Sequence, residues 1–145
     1  MNPHTTSVKT AIVYHSGYGH TARMATAIAE GAGPGAVLVA IDSEGNIAED
    51  AWQVLAGADA ILLGSPTYMG GPSWQFKKFA DASSKIWFEG GWQNKIFGGF
   101  TNSASINGDK LNTLEYFFLL SGSTLASGWV WISSRLTSRH RSAMT

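Results

Sequence analysis

Short apolar runs alternate with segments of helical spacing along most of this chain, and this alternation restricts the possible folds more than any other feature. The apolar runs have the length of buried strands and are residues 10–15, 36–41, 60–64, 95–101 and 129–132. The segments between them that favour helices are residues 21–31, 48–56, 74–82 and 110–120. Because apolar strands separated by helices form parallel sheets covered on both faces, the sequence predicts a doubly wound α/β fold with a five-stranded parallel sheet.

The composition excludes several classes of protein. Hydrophobic residues make up 44% of the 145 residues, and ten basic residues balance ten acidic ones. The chain is therefore neither disordered nor a charge-driven nucleic-acid binder. The absence of cysteine excludes disulfides and thiolate metal sites, so redox chemistry would require a bound cofactor. We expect a cytoplasmic protein without a metal site.

The chain divides into a loose leader over residues 1–9, one folded domain over residues 10–132 and a Ser/Arg-rich tail over residues 133–145. Residues 116–134 carry no charge, and this length is almost sufficient to cross a bilayer. Small and hydroxyl residues at 121–124 divide that run into the end of a helix and a short strand, so we expect no membrane span.

The loop after the first strand has the features of a phosphate site. It consists of Ser16, Gly17, Tyr18, Gly19, His20 and Thr21. A helix follows at once, and its unpaired N–H groups and dipole favour an anion. Gly17-x-Gly19-x-x-Ala22 also fits a loose dinucleotide pattern, with Asp42 where a ribose-binding acid would lie. The polar side chains favour a terminal monophosphate, but a dinucleotide site or a simple tight turn remains possible.

Two further loops follow the third and fourth strands. In a parallel sheet such loops meet at the carboxyl edge, where ligands bind. The first contains Pro66, Thr67, Tyr68, Met69 and Gly70, and the second contains Thr101, Asn102, Ser103, Ala104 and Ser105. Backbone, ring and hydroxyl groups there would suit a flat ligand. Ordinary turn punctuation and helix capping are the alternative explanations.

Together these motifs resemble the flavodoxin-like superfamily, and within it the NAD(P)H:quinone oxidoreductase and tryptophan-repressor-binding-protein branch. The segments that carry the resemblance are Ser16–Thr21, Gly64–Gly70, Lys85–Trp87 and Phe100–Ser103. The resemblance implies FMN, with its phosphate on residues 16–21 and its ring between residues 66–70 and 101–105. It also implies that Trp87 and Tyr18 border the substrate and nicotinamide sites, although Trp87 would serve equally well as a core residue.

The implied activity is hydride transfer from NAD(P)H through FMN to a quinone-like acceptor. Since the flavin performs this chemistry, no catalytic acid–base pair is required. A flavodoxin-type electron carrier and a weakly active FMN-binding module are the alternatives. Carriers are usually strongly acidic, and the balanced charge of this chain argues against one.

The C-terminal part departs from the family in two ways. The branch usually has a histidine just before the fifth strand, but residues 120–128 contain none. The family continues into a final helix, whereas residues 133–145 cannot supply an apolar helix face. We therefore expect this helix to be lacking, one face of the sheet to be underprotected, and a homo-oligomer to cover it. A frameshift or truncation would explain the tail.

Overall fold

Each apolar run of the sequence forms a strand at the centre of the structure, a computed structural model that describes residues 7–106, 109–126 and 128–133. The strands are β1 (Thr10–His15), β2 (Ala36–Ile41), β3 (Ala60–Tyr68), β4 (Gly71–Pro72), β5 (Ile96–Asn102) and β6 (Gly128–Ser133). The helices are α1 (His20–Ala32), α2 (Ala51–Gly57), α3 (Trp74–Ala82), α4 (Ser84–Phe88) and α5 (Lys110–Ser123).

Five of the strands form one parallel sheet in the order β2-β1-β3-β5-β6. In register, Val13 of β1 pairs with Val39 of β2 and with Leu63 of β3, and Leu63 pairs in turn with Gly99 of β5. The strand order reverses between β1 and β3. This is the doubly wound order whose switch point creates a crevice at the carboxyl edge of the sheet. The predicted α/β fold with a five-stranded parallel sheet is therefore confirmed.

The two faces of the sheet carry cores of different size. The larger core lies between the sheet and helices α2, α3 and α5. Its fully buried side chains include Leu55 of α2, Phe79 of α3 and Phe117 of α5. The smaller core lies under α1 and centres on Ile12, Ala25 and Phe100. Burial of each side chain of this size stabilises the fold by about 1.5–3 kcal/mol, so the larger core contributes most of the stability from apolar burial.

The face that carries the smaller core also leaves apolar side chains in solvent. Leu38 and Ile96 share this face by register, and they are 40% and 47% exposed. The expected lack of a final helix and the tail fall on residues after 133, outside the described residues, as does the leader up to residue 6. Within the described ranges, no helix is long and apolar enough to cross a membrane.

Several elements differ from the sequence prediction. The third strand was expected to end at Gly64 but continues to Tyr68, because Ser65 and Thr67 satisfy their hydroxyl groups inside the protein. The chain then turns back as β4, which pairs with the end of β3. Helix α4 was not predicted, and α2 begins at Ala51 rather than at residue 48.

Candidate functional site

Loop 1, residues 16–21, turns from β1 directly into α1. Gly19 lies at the helix start with φ of 90°, a left-handed conformation that favours glycine. The Ser16 hydroxyl oxygen accepts hydrogen bonds from the backbone N–H groups of Gly19 at 3.1 Å and Ala22 at 3.2 Å. Ser16 therefore shapes the loop from within and retains its own hydroxyl hydrogen for another acceptor.

Several backbone donors of loop 1 remain unused. The N–H groups of Gly17, Tyr18, His20 and Thr21 make no hydrogen bond to any described residue. The first turn of α1 contains no acidic residue, so the positive end of the helix dipole is not neutralised there. This donor set fits a phosphate group.

Loop 2, residues 66–70, forms the tip of a hairpin. Thr67 pairs with Pro72 and Tyr68 with Gly71, which leaves a two-residue turn at Met69 and Gly70. Both turn residues have positive φ, 49° for Met69 and 81° for Gly70, as a type I′ turn requires. Such a conformation is rare for methionine, and it holds the Met69 side chain fully in solvent.

Loop 3, residues 101–105, is tied to loop 2 by buried hydroxyl groups. Thr67 Oγ1 lies 2.7 Å from Thr101 Oγ1 and 2.8 Å from Thr113 Oγ1, and Thr101 Oγ1 donates to the Ser65 carbonyl at 2.7 Å. Because that carbonyl can only accept, the hydroxyl hydrogens must run in one direction, from Thr113 to Thr67 to Thr101. The chain of hydroxyls fixes loop 2 and loop 3 relative to each other.

Loop 3 is also tied to loop 1. The side-chain amide of Asn102 donates to Thr21 Oγ1 at 2.8 Å, and both residues are buried. Thr21 still has a hydroxyl hydrogen to donate, since it only accepts in this bond. The phosphate-type loop and the loops at the switch point therefore form one connected unit.

The start of α5 holds the outer parts of loops 2 and 3. Asn112 Nδ2 donates to the Gly70 carbonyl at 2.7 Å, and Lys110 Nζ donates to the Ser105 carbonyl at 2.6 Å. Asp109 accepts from Ser103 Oγ and from Lys110 Nζ, both at 3.2 Å. Desolvation opposes ionisation of Asp109, but these hydrogen bonds and the neighbouring ammonium group outweigh it and lower the pKa of Asp109.

The three loops surround a cavity of about 510 Å³, a size typical of small-molecule sites. All the predicted cofactor residues line it except Ser16, Gly19, Gly70 and Thr101, which lie in the same three loops. Four residues at the site were not predicted from the sequence. Asp109 also lines the cavity, and the loops are held by Lys110, Asn112 and Thr113. Their only sequence signal is a polar first turn of a helix that follows loop 3.

Comparison with known proteins agrees with this geometry. The sequence model of the NADPH-dependent FMN reductase family matches residues 40–135, about two thirds of the chain. The chain belongs to the NADPH-dependent FMN reductase family. A flavodoxin, FldP of Pseudomonas aeruginosa strain UCBPP-PA14, is 57% identical over 137 residues, which are 93% of this chain and 71% of FldP.

Other relatives place this member of the FMN reductase family on the branch expected from its motifs. An NAD(P)H dehydrogenase (quinone) of Geobacter sulfurreducens is 35% identical over 133 residues, with 75% of this chain and 66% of that protein covered. The crystal structure of a WrbA-like flavodoxin from Agrobacterium tumefaciens superposes with a TM-score of 0.82 at 63% identity, covering 88% of this chain and 84% of that one. The fold is therefore flavodoxin-like.

In this FMN reductase family member, Trp87 does not lie at the cavity. Its Nε1 donates to the Ser123 carbonyl at 2.7 Å, at the end of α5. Because α5 returns from the carboxyl end of β5 to the start of β6, Ser123 lies near the opposite edge of the sheet. Trp87 is also 55% exposed, so the described part of the chain supports neither the substrate contact nor the core role expected for it.

Two other polar residues, Asp42 and His15, do not line the cavity. Asp42 was considered as a ribose ligand, but its carboxylate accepts from the N–H groups of Glu44 and Asn46 and shapes its own loop. His15 is buried at the end of β1, and its Nδ1 has no hydrogen-bond partner within the described residues. Burial lowers the pKa of His15, which therefore stays neutral at physiological pH. No group of residues in the described ranges resembles a metal site.

Proposed function

We propose that this chain binds FMN in the three-loop cavity and transfers reducing equivalents from NAD(P)H to a quinone-like acceptor. The proposal rests on the difference between the two ends of the cavity. One end presents unpaired N–H donors at a helix start, and the other end is formed by Pro66, Thr67, Tyr68 and Met69 opposite loop 3. A phosphate joined to a flat ring requires this combination of surfaces.

FMN, when bound, would supply the hydride chemistry, so that NAD(P)H and a proton reduce a quinone to a hydroquinone. The protein would hold the FMN phosphate through loop 1 and the Ser16 hydroxyl. Loops 2 and 3, fixed by their buried hydroxyl chain, would orient the ring. The lowered pKa of Asp109 keeps its carboxylate ionised at the cavity rim, where it anchors Ser103 and Lys110.

The quinone reductase activity is supported by the 35% identity with the Geobacter enzyme, which is named for it. The test is to load the purified chain with FMN, verify occupancy from the flavin absorption, and follow NADH or NADPH oxidation with a simple benzoquinone. We expect turnover that depends on quinone. A chain fully occupied by FMN that shows no turnover would refute the enzyme proposal.

Two variants sharpen this test. Ser16→Ala removes the hydroxyl that accepts two backbone N–H groups of loop 1, so we expect weaker FMN binding and less turnover at limiting FMN. Lys77→Ala is the control, because Lys77 is exposed, lies outside the cavity and pairs with Asp81 one turn along α3. If both variants bound FMN as tightly as the unmodified chain, loop 1 would not be the phosphate site.

The second candidate is a flavodoxin-type electron carrier. It is favoured by the 57% identity with a protein named flavodoxin. A carrier would bind FMN and accept electrons from a reductase protein, but it would not oxidise NAD(P)H by itself. Reduction of bound FMN by NAD(P)H alone, measured anaerobically, distinguishes the two candidates.

We further propose a cytoplasmic homo-oligomer that binds no nucleic acid. Apolar side chains stay exposed on the sheet face that α1 packs against, which supports the oligomer. The balanced charge argues against nucleic-acid binding. Sedimentation of the FMN-loaded chain measures its oligomeric state, and a monomer at micromolar concentration would contradict the oligomer.

A further inference from the structure

The Tyr68 side chain crosses from loop 2 to the backbone of loop 1. A Cβ atom built on Gly17 would overlap Tyr68 Oη and would lie 3.4 Å from Tyr68 Cζ. The tip of the phenol ring therefore rests directly on Gly17, and the absence of a side chain there makes room for it. Both residues line the same cavity.

A second tyrosine holds this ring in place. Tyr18 and Tyr68 pack edge to face, with ring centroids 6.3 Å apart and an angle of 82° between the ring planes. Tyr18 is 85% exposed, whereas Tyr68 is 39% exposed. Such aromatic pairs are stabilised by about 0.5–1.5 kcal/mol beyond burial. The contact with Tyr18 therefore favours the conformation in which the Tyr68 ring points toward loop 1.

The Tyr68 hydroxyl has no hydrogen-bond partner among the described residues, although it lies beside several other donors. Desolvation, together with the nearby Tyr18, raises the pKa of Tyr68, so the hydroxyl keeps its proton at neutral pH. The adjacent N–H groups of Gly17 and Tyr18 are also unpaired. Donors from two different loops thus converge where the described protein supplies no acceptor.

We infer that the Tyr68 hydroxyl donates a hydrogen bond to the terminal phosphate of the flavin nucleotide, and that it thereby helps the site to discriminate FMN from riboflavin. The inference rests on the proposed function, because it requires flavin in this cavity. It gives loop 2 a role at the phosphate end of the cofactor, in addition to the ring contacts expected from its position.

Riboflavin provides the decisive probe, because it has the same ring and ribityl chain as FMN but no phosphate. Dissociation constants of both flavins are measured by quenching of flavin fluorescence for the unmodified chain and for Tyr68→Phe. We expect Tyr68→Phe to weaken FMN about tenfold or more and to leave riboflavin unchanged, since a hydrogen bond to a charged group is lost. Tyr116→Phe, a tyrosine of α5 outside the cavity, is the matched control.

Gly17→Ala tests the same contact from the other side. The new Cβ displaces the Tyr68 hydroxyl, and residue 17 does not have positive φ, so its backbone tolerates alanine. We expect Gly17→Ala to reduce the preference for FMN in the unmodified chain and to add little in the Tyr68→Phe background. Independent losses in the two backgrounds would overturn the inference.

The remaining outcomes also decide the question. An equal loss of FMN and riboflavin affinity in Tyr68→Phe would assign the hydroxyl to the ribityl chain or the ring, and no loss for either flavin would remove it from the site. Both results overturn the inference and leave the proposed function intact. Failure of the unmodified chain to bind either flavin would instead refute the proposed function, and the inference with it.

Discussion

The hydroxyl chain from Thr113 through Thr67 and Thr101 to the Ser65 carbonyl predicts an ordered series of stability losses. Valine has almost the shape of threonine, so each Thr→Val change removes hydrogen bonds without opening a large cavity. Thr113→Val breaks one link of the chain, whereas Thr67→Val and Thr101→Val each break two. All three side chains are buried, so water does not replace the lost partners.

A net contribution of about 1 kcal/mol for each hydrogen bond gives the expected magnitudes. Thr113→Val should lower the free energy of unfolding by about 1 kcal/mol, and Thr101→Val by about 2 kcal/mol. Thr26→Val is the control, because its hydroxyl bonds an exposed helix carbonyl, and its cost should stay within about 0.5 kcal/mol. Urea denaturation followed by circular dichroism measures all three values.

A double-mutant cycle tests the connectivity itself. In the Thr67→Val background the Thr113 hydroxyl has lost its partner, so adding Thr113→Val should cost much less than it does in the unmodified chain. The difference should be about 1 kcal/mol, the value of the link. Equal costs of Thr113→Val in both backgrounds, or a larger cost for Thr113→Val than for Thr101→Val, would refute the one-directional chain.

Three further changes have defined expected outcomes. Met69→Asn should raise the free energy of unfolding by about 0.5–1 kcal/mol, because asparagine tolerates the positive φ of this turn better than methionine, and an unchanged urea midpoint would contradict the strain. Lys95→Met removes the ammonium that donates to the carbonyls of Ala56 and Ala58 at the end of α2, and thermal denaturation should show a loss of about 1 kcal/mol. Since the folded pKa of His15 lies below its ordinary value of 6.5, the unfolded chain binds a proton more readily, and stability should fall as the pH drops below 6.5. Urea titrations at several pH values should show a weaker fall in His15→Gln, and an identical pH dependence would exclude His15 as its source.

The fold was predictable because its determinants are local in sequence. Continuous apolar runs such as residues 60–63 indicate strands buried on both faces, and helical segments between them require parallel connections. Once the sheet is parallel, the loops after β1, β3 and β5 must meet at one edge. The position of the cavity thus followed from topology, even though no single loop motif established it.

The hairpin at loop 2 was not predictable for an equally physical reason. Two-residue hairpin turns are usually signalled by asparagine or aspartate before glycine, but methionine occupies that position here. Pro72, which forms part of β4, is typical of strand ends and edges rather than of central strands. The turn is stabilised by a tertiary contact, the hydrogen bond from Asn112, which the local sequence does not reveal.

The distribution of these tertiary contacts divides the cavity into two mechanically different halves. The first turn of α5 holds loops 2 and 3 through side chains of Lys110, Asn112 and Thr113, and the helix itself is anchored in the larger core by the fully buried Phe117. Loop 1 depends instead on Ser16 and on the start of α1, which packs on the smaller core. The buried bond from Asn102 to Thr21 and the Tyr68 contact with Gly17 connect the halves. Together with the pairing of β1 and β3, these two side-chain contacts set the distance between loop 1 and loops 2 and 3. If loop 1 binds the phosphate and loops 2 and 3 bind the ring, as proposed, a change at either contact should alter binding of FMN more than binding of riboflavin.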